Sequence, residues 1–406
     1  MWNNIKLAWR NLWRNKRRTL ITTASIVFSV LFASFMRAVQ EGSYDSMIDN
    51  MVKFYSGYLQ VQDTAYWDEK TLENTIAYDS TLAGKISNMK DVRLVTPRLE
   101  SFALSAYEEN SKPVFVMGID PEKEDGIIKL SEKVKKGSFI SSNDKGALIA
   151  EGLSKFLKIG AGDTLVMISQ GYHGVSAAGK FAVRGIFKHP NPEFNNNMVY
   201  LSLKTAQDFY SAYGRYTSEV IMVNDHYEVD HVKRAIQEIL PPDKTVMTWD
   251  EMYPELLSMI EGDRAGGIIM LWILYLVIGF GIFGTVMMMV NERKREFGVI
   301  NAVGMRKSRI NVMLFAEIVM LGMLGAVLGL VLTAPIIGYF YANPMPMPAE
   351  MAEAMEAYGV EPYMFVSIRP MIYINQALTI FILSSVIAGI MMITVARLDM
   401  VKALRG

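Results

Sequence analysis

Gly174-Val-Ser-Ala-Ala-Gly179-Lys180 has the spacing of a phosphate-binding loop, in which backbone N–H groups cradle phosphates and the lysine reaches toward them. Phe181 stands where a Ser or Thr must hold magnesium, and a β-like run follows where a helix is needed. Nucleotide chemistry is therefore not expected at this loop. The four histidines, His173, His189, His226 and His231, form neither an HExxH pair nor a zinc spacing, and no Gly-x-Ser-x-Gly elbow occurs. Acid pairs such as Glu108-Glu109 read as solvated surface. Met345, Met347, Met351, Met355 and Met364 offer soft thioethers suited to Cu(I). With 29 methionines spread along the chain, the group reads instead as an adaptable apolar surface. Glu317 is a carboxylate within an apolar run, which makes it a functional suspect. It is expected to pair with Arg309 or another base near the interface. No catalytic, cofactor-binding or metal-binding residue is assigned.

The informative segment is Glu292–Met305, ERKREFGVINAVGM, which is charged, helical in pattern and set between two long apolar runs. Phe297, Ile300 and Val303 fall on one helical face, and six basic residues lie within about one turn of either end. Such a segment cannot cross a bilayer. It reads as a short helix at the membrane surface, open to force from the aqueous phase.

Four runs approach or exceed the roughly 20 apolar residues needed to span a hydrocarbon core. They lie at 19–39, 266–290, 312–340 and 374–396. Lys and Arg cluster in residues 1–18, in 291–311 and in the 397–406 tail, whereas 341–373 is acidic. This asymmetry predicts both termini and the 291–311 segment inside, with 40–265 and 341–373 outside. Residues 1–18 carry Trp2, Ile5, Trp9, Leu12 and Trp13 at helical spacing beside Lys6, Arg10 and Arg14, the pattern of an interfacial amphipathic helix on anionic membrane lipid. A neutral net charge gives no nucleic-acid signal, and the absence of Cys excludes disulfides and thiolate metal sites.

The fold class expected is an α-helical membrane protein with four transmembrane helices and a large α+β extracytoplasmic domain of two lobes between helices 1 and 2, the second lobe at about 121–219. Strands are expected at 58–62, 112–118, 146–150, 164–168, 180–187, 199–202 and 220–224. Helices are expected at 71–89, 151–156, 204–213 and 230–240. The link Ser169–Gly179, with Gln170, Gly171, Tyr172, His173 and Gly174, is either an ordinary loop or a protruding contact for a periplasmic partner. Gly322, Gly325 and Gly329 permit close helix approach, either within the chain or to a second permease copy.

Four stretches carry a resemblance: LAWRNLWRNKRRTLIT (7–22), GALIAEGLSKFLKIGAGDTLVM (146–167), NERKREFGVINAVGM (291–305) and ARLDMVKALRG (396–406). The chain resembles the FtsX-like/MacB-type ABC transporter permease family, and within it the lipoprotein-releasing LolC/LolE group. The resemblance implies a permease that works with two copies of a separate ABC ATPase and with a second permease copy or paralogue. It also implies a MacB-like periplasmic core domain, an inner-membrane location, and transport by mechanotransmission. ATP-driven motion of the coupling helix would move the outer domain without catalysis by the permease itself. Arg293, Arg295, Glu296, Phe297, Gly298, Ile300, Asn301, Val303 and Gly304 would contact the ATPase, and a periplasmic lipoprotein carrier would be the outer partner. The cargo reading is lipoprotein release. The alternatives are MacB-type efflux, FtsX-type signalling to a cell-wall hydrolase, and a Met-based metal sensor.

Overall fold

The computed structural model describes residues 2–14, 16–52, 56–189, 191–350, 352 and 362–397. The chain divides into two compact units, one of residues 1–45, 259–345 and 364–406 and the other of 46–258 and 346–363. Helices α1 (Trp2–Arg14) and α2 (Lys16–Met51) come first in the chain. The elements that follow are β1 (Leu59–Asp63), β2 (Ile76–Ala77), α3 (Ser80–Ser87), β3 (Val92–Tyr107), β4 (Asn110–Ile119), α4 (Pro121–Ile128), α5 (Leu130–Lys133), β5 (Val134–Gly137), β6 (Ala147–Ala150) and α6 (Glu151–Leu157). Next are β7 (Thr164–Gln170), β8 (Ser176–Phe187), α7 (Pro192–Asn197), β9 (Met198–Ser202), α8 (Leu203–Phe209), β10 (Arg215–Tyr216), β11 (Ser218–Val223), α9 (Val229–Gln237), β12 (Lys244–Thr248) and α10 (Trp249–Met252). Last come α11 (Pro254–Glu292), α12 (Lys294–Ala302), α13 (Lys307–Ala342) and α14 (Pro370–Ala396).

The second unit is built on a mixed ten-stranded sheet in the order β12-β1-β11-β3-β4-β9-β6-β8-β5, with β7 pairing both β3 and β8. The strands of residues 121–219 form no sheet of their own. They continue the sheet of the flanking segments through the parallel β4–β9 and the antiparallel β3–β7 pairings, except β10, which pairs β2 in a separate two-stranded sheet. β3, which no alternation in the sequence announces, is the longest strand and pairs with β11, β4 and β7. Its charges conceal it: Arg98 and Glu100 are buried, and Arg98 forms a fully buried ion pair with Glu124 of α4, Nε to Oε2 at 3.1 Å. Burial pushes the Glu100 carboxyl up, against the pull of Arg98. The helix expected over 71–89 shrinks to α3. The Asp79 side chain accepts from the N–H groups of Thr81 and Leu82 and so fixes the helix start late. Gly118 lets α8 lie close on β4, since a Cβ there would sit 2.4 Å from the Ala206 Cβ.

Glu219 on β11 is buried, and one of its carboxyl oxygens has no partner. Burial pushes its pKa up to about 7. The folded state therefore keeps this proton to a higher pH than the unfolded chain. Stability falls as pH rises from the usual carboxylate range through about 7 and is flat above it. Glu219→Gln should stabilise the domain by on the order of 3 kcal/mol at pH 8 and by little at pH 4, read as the difference between thermal melts at the two pH values.

In the first unit, α2, α11, α13 and α14 are each long and apolar enough to cross a membrane. α13 is the central element. Ideal Cβ atoms at Gly325 and Gly329 would lie 2.6 and 2.8 Å from the Cβ atoms of Ile26 and Val30 on α2, and one at Gly322 would lie 2.1 Å from Ser384 Oγ on α14. These three glycines thus bring α2 and α14 of the same chain against α13. α11 leaves most of its apolar surface outward, including Trp272 and Phe280. At the other end of the spans, Tyr44 Oη donates to Asp263 at 2.5 Å, and Glu41 pairs with Arg37 and Arg264.

Candidate functional site: the α12 segment

α11 ends at Glu292, and after Arg293 the chain restarts as α12. α12 closes with a Schellman motif: Gly304 N–H donates to Asn301 O and Met305 N–H to Ile300 O, both at 3.1 Å. Gly304 sits at φ 105°, a conformation that favours glycine. The segment therefore has fixed ends and presents two different faces.

The inner face is fastened to the rest of the unit. Phe297 is buried in a core with Ala8, Val290, Ile310, Met313 and Leu314, and Ile300 and Met305 pack at its edge. Arg293 lies over the Phe297 ring, 5.3 Å from its centroid. Its Nη1 donates to both carboxylate oxygens of Glu317, at 2.9 and 2.8 Å. Glu317 is thus held by Arg293 rather than by Arg309, because the α11–α12 break turns Arg293 inward one turn before Phe297. Two further arginines reach the segment from the N-terminal elements: Arg14 binds both oxygens of Glu296 (2.8 and 2.7 Å), and Arg18 binds Glu292 (2.5 Å). Arg293 also approaches Glu296 at 3.4 Å. Hydrogen bonding by Arg14 holds the Glu296 carboxyl below its usual range. Net worth at the exposed Arg14–Glu296 pair is small, whereas the buried Arg293–Glu317 pair is costly to break.

The outer face carries Arg295, Val299, Ala302 and Val303, with Gly304 and Arg306 beyond. Val303 is 84% exposed although it shares a helical stripe with Phe297, because it caps the helix where the chain turns away. Of the nine residues read as ATPase contacts, Arg295, Glu296, Val303 and Gly304 face outward. Arg293, Phe297 and Gly298 face inward, with Ile300 and Asn301 half-buried. Sequence reasoning missed Val299 and Ala302 in the outward row, and also the partners Arg14 and Arg18. The signal was there in the matched four-residue spacings of Arg14/Arg18 and Glu292/Glu296.

The remaining candidate residues lie elsewhere. Ser169–Gly179 is mostly strand, so the link narrows to residues 171–175. It is fastened to its own unit: Tyr172 N–H donates to Tyr210 O, Arg215 stacks on Tyr172, and His173 meets Glu73 at 3.0 Å. Gln170 ends β7, and Gly171 and Gly174 bracket the turn. Lys180 lies on β8 opposite Val166, with no helix beginning there. Met351 and Met355, and nearly all of 396–406, lie outside the described residues. Asp91, Glu228 and His231 are the described groups that could gather on a cation, with ligand atoms within 4.8 Å of one another.

Two family models cover most of the chain. The MacB-like periplasmic core domain matches residues 19–239, more than half of the chain, and the FtsX-like permease C-terminal domain matches 268–399. The chain belongs to the FtsX-like, MacB-type ABC permease family. α12 lies within the FtsX-like region, and the mixed sheet, β12 apart, lies within the MacB-like one. Its relatives are distant. An ABC transporter permease of Methanocaldococcus jannaschii is 22% identical over 81% of this chain and 82% of that protein. The pyoverdine export ATP-binding/permease protein PvdT of Pseudomonas entomophila is 25% identical over 81% of this chain, which spans only 51% of PvdT. The lipoprotein-releasing system transmembrane protein LolC of Xylella fastidiosa is 22% identical over 60% of each chain. The family implies an ABC ATPase partner, and the apolar helices with a periplasmic-type domain fit an inner-membrane protein.

Proposed function

We propose that this FtsX-like permease is a mechanotransmission subunit whose α12 is pushed by a separate ABC ATPase on the cytoplasmic side, with both termini on that side and the sheet domain outside. The observation that carries this reading is the two-faced coupling segment. A helix bolted inward by Phe297 and Arg293 cannot yield alone, so force on its outward row passes into α13 and the N-terminal elements. The permease itself needs no catalytic group for this work. Two ATPase copies and a second permease, identical or paralogous, complete the assembly by analogy with the family. Among the described residues, the tied-down 171–175 turn offers less reach to a soluble lipoprotein carrier than a free finger would.

For cargo, the lipoprotein-release reading draws support from the similarity to LolC, and export draws support from the broader match to PvdT. Depletion of the permease separates them: lipoproteins retained in the inner membrane support release, and an unchanged lipoprotein distribution supports export. For coupling, Val303→Asp should leave the permease folded and membrane-inserted while lowering cargo-stimulated ATPase turnover about tenfold or more, since burying an unpaired charge at the contact costs over 1.4 kcal/mol. Full stimulation in this variant would remove α12 as the coupling element.

A further inference from the structure

We infer that the cavity beneath α1 binds a phospholipid headgroup carrying both a phosphate and a primary ammonium. The cavity holds about 210 Å³ and is lined by charged groups of both signs, Arg14, Arg18 and Arg293 against Glu292, Glu296 and Glu317. That is room for on the order of seven waters, or for one small polar headgroup. Its floor is the buried Arg293–Glu317 pair, and its rim is the half-open Arg14, Glu292 and Glu296.

The charges are paired but not saturated. A guanidinium offers five N–H donors. Arg18 uses Nη1 alone, on Glu292, and Arg14 uses Nη2 alone, on Glu296. The remaining donors of both can fork onto a phosphate. Glu292 engages one oxygen only, leaving the other to accept from an ammonium N–H.

The cavity also lies at headgroup depth. Arg18 is in the first turn of α2, and Glu292 is the last residue of α11. Trp9 and Trp13 of α1 are partly exposed and stack edge to face, 6.0 Å apart, in the manner of interfacial anchors. Balanced charge sets the specificity. A glycerol headgroup would take the free arginine donors but bring no cation to the open Glu292 oxygen, and a choline headgroup has no N–H to donate.

The test uses the purified full-length chain in mixed micelles with acyl-labelled phosphatidylethanolamine, phosphatidylglycerol or phosphatidylcholine, read by energy transfer from tryptophan. Phosphatidylethanolamine should bind about tenfold tighter than the other two, the worth of one charge-assisted hydrogen bond. Arg18→Met and Glu292→Gln should each erase that preference. Soluble glycerophosphoethanolamine should compete for the site, and inorganic phosphate at equal concentration should not. Equal affinity for the three lipids, an unchanged preference in both variants, or equal competition by inorganic phosphate overturns the assignment. Should a variant fail to fold, the competition on the unaltered chain decides.

Discussion

Arg293→Met is expected to destabilise the membrane unit by about 3–5 kcal/mol, the cost of leaving one partner of a buried ion pair unanswered. Both oxygens of Glu317 are bound by Arg293, and the carboxylate is almost wholly buried on α13. Without the guanidinium, the Glu317 carboxylate loses the partner of both its oxygens inside an apolar bundle. The same change removes the cation above the Phe297 ring, so α12 loses two of its inward fastenings at once. Glu317→Gln should cost less, because a neutral amide can still accept from Arg293. The double variant Arg293→Met/Glu317→Leu should recover much of the loss, as an apolar replacement of a buried pair often does. Melting of the detergent-purified chain, followed by its retention as a single species on size exclusion, reads all three. A single Arg293→Met variant with unaltered melting would mean that the pair does not hold the segment.

A comparable loss is expected in the sheet domain from Arg98→Met. Arg98 and Glu124 are fully buried, and Glu100 lies in the same buried cluster with its carboxyl pushed up by burial. Removing the guanidinium leaves Glu124 without its buried partner beside Glu100, again about 3–5 kcal/mol. The effect should be steeper at neutral pH than in acid, where the Glu100 carboxyl, already pushed up by burial, holds its proton. Arg98→Met/Glu124→Leu should restore folding. Limited proteolysis of the domain across pH 5 to 8 gives the comparison, and equal protection of Arg98→Met and the unaltered chain at pH 8 would contradict it.

The four apolar helices and the short α12 between two of them were legible because a bilayer imposes length and composition on helices and because basic flanks mark their ends. β3 was not, since Arg93, Arg98 and Glu100 break the alternation that normally marks a strand, and Arg98 is buried only because Glu124, more than twenty residues away, pairs with it. The split of α12 into inward and outward faces was half legible. Helical spacing groups Phe297, Ile300 and Val303, but only the packing of α1 and α13 decides that Phe297 is buried while Val303 is bare. Which nearby base pairs with Glu317 was left open in the sequence for a related reason. Arg309 is nearer in sequence, but the break after Glu292 turns Arg293 toward α13.

The absence of native cysteine makes the central claim directly measurable. Single cysteines at Val299, Val303 and Phe297 can each be joined to the partner ATPase in native membranes with a short cysteine-to-lysine crosslinker. The account predicts ATP-dependent adducts from Val299 and Val303 and none from Phe297, which the chain's own core encloses. Adducts from Phe297 alone, or none from any of the three while the complex remains assembled, would contradict it.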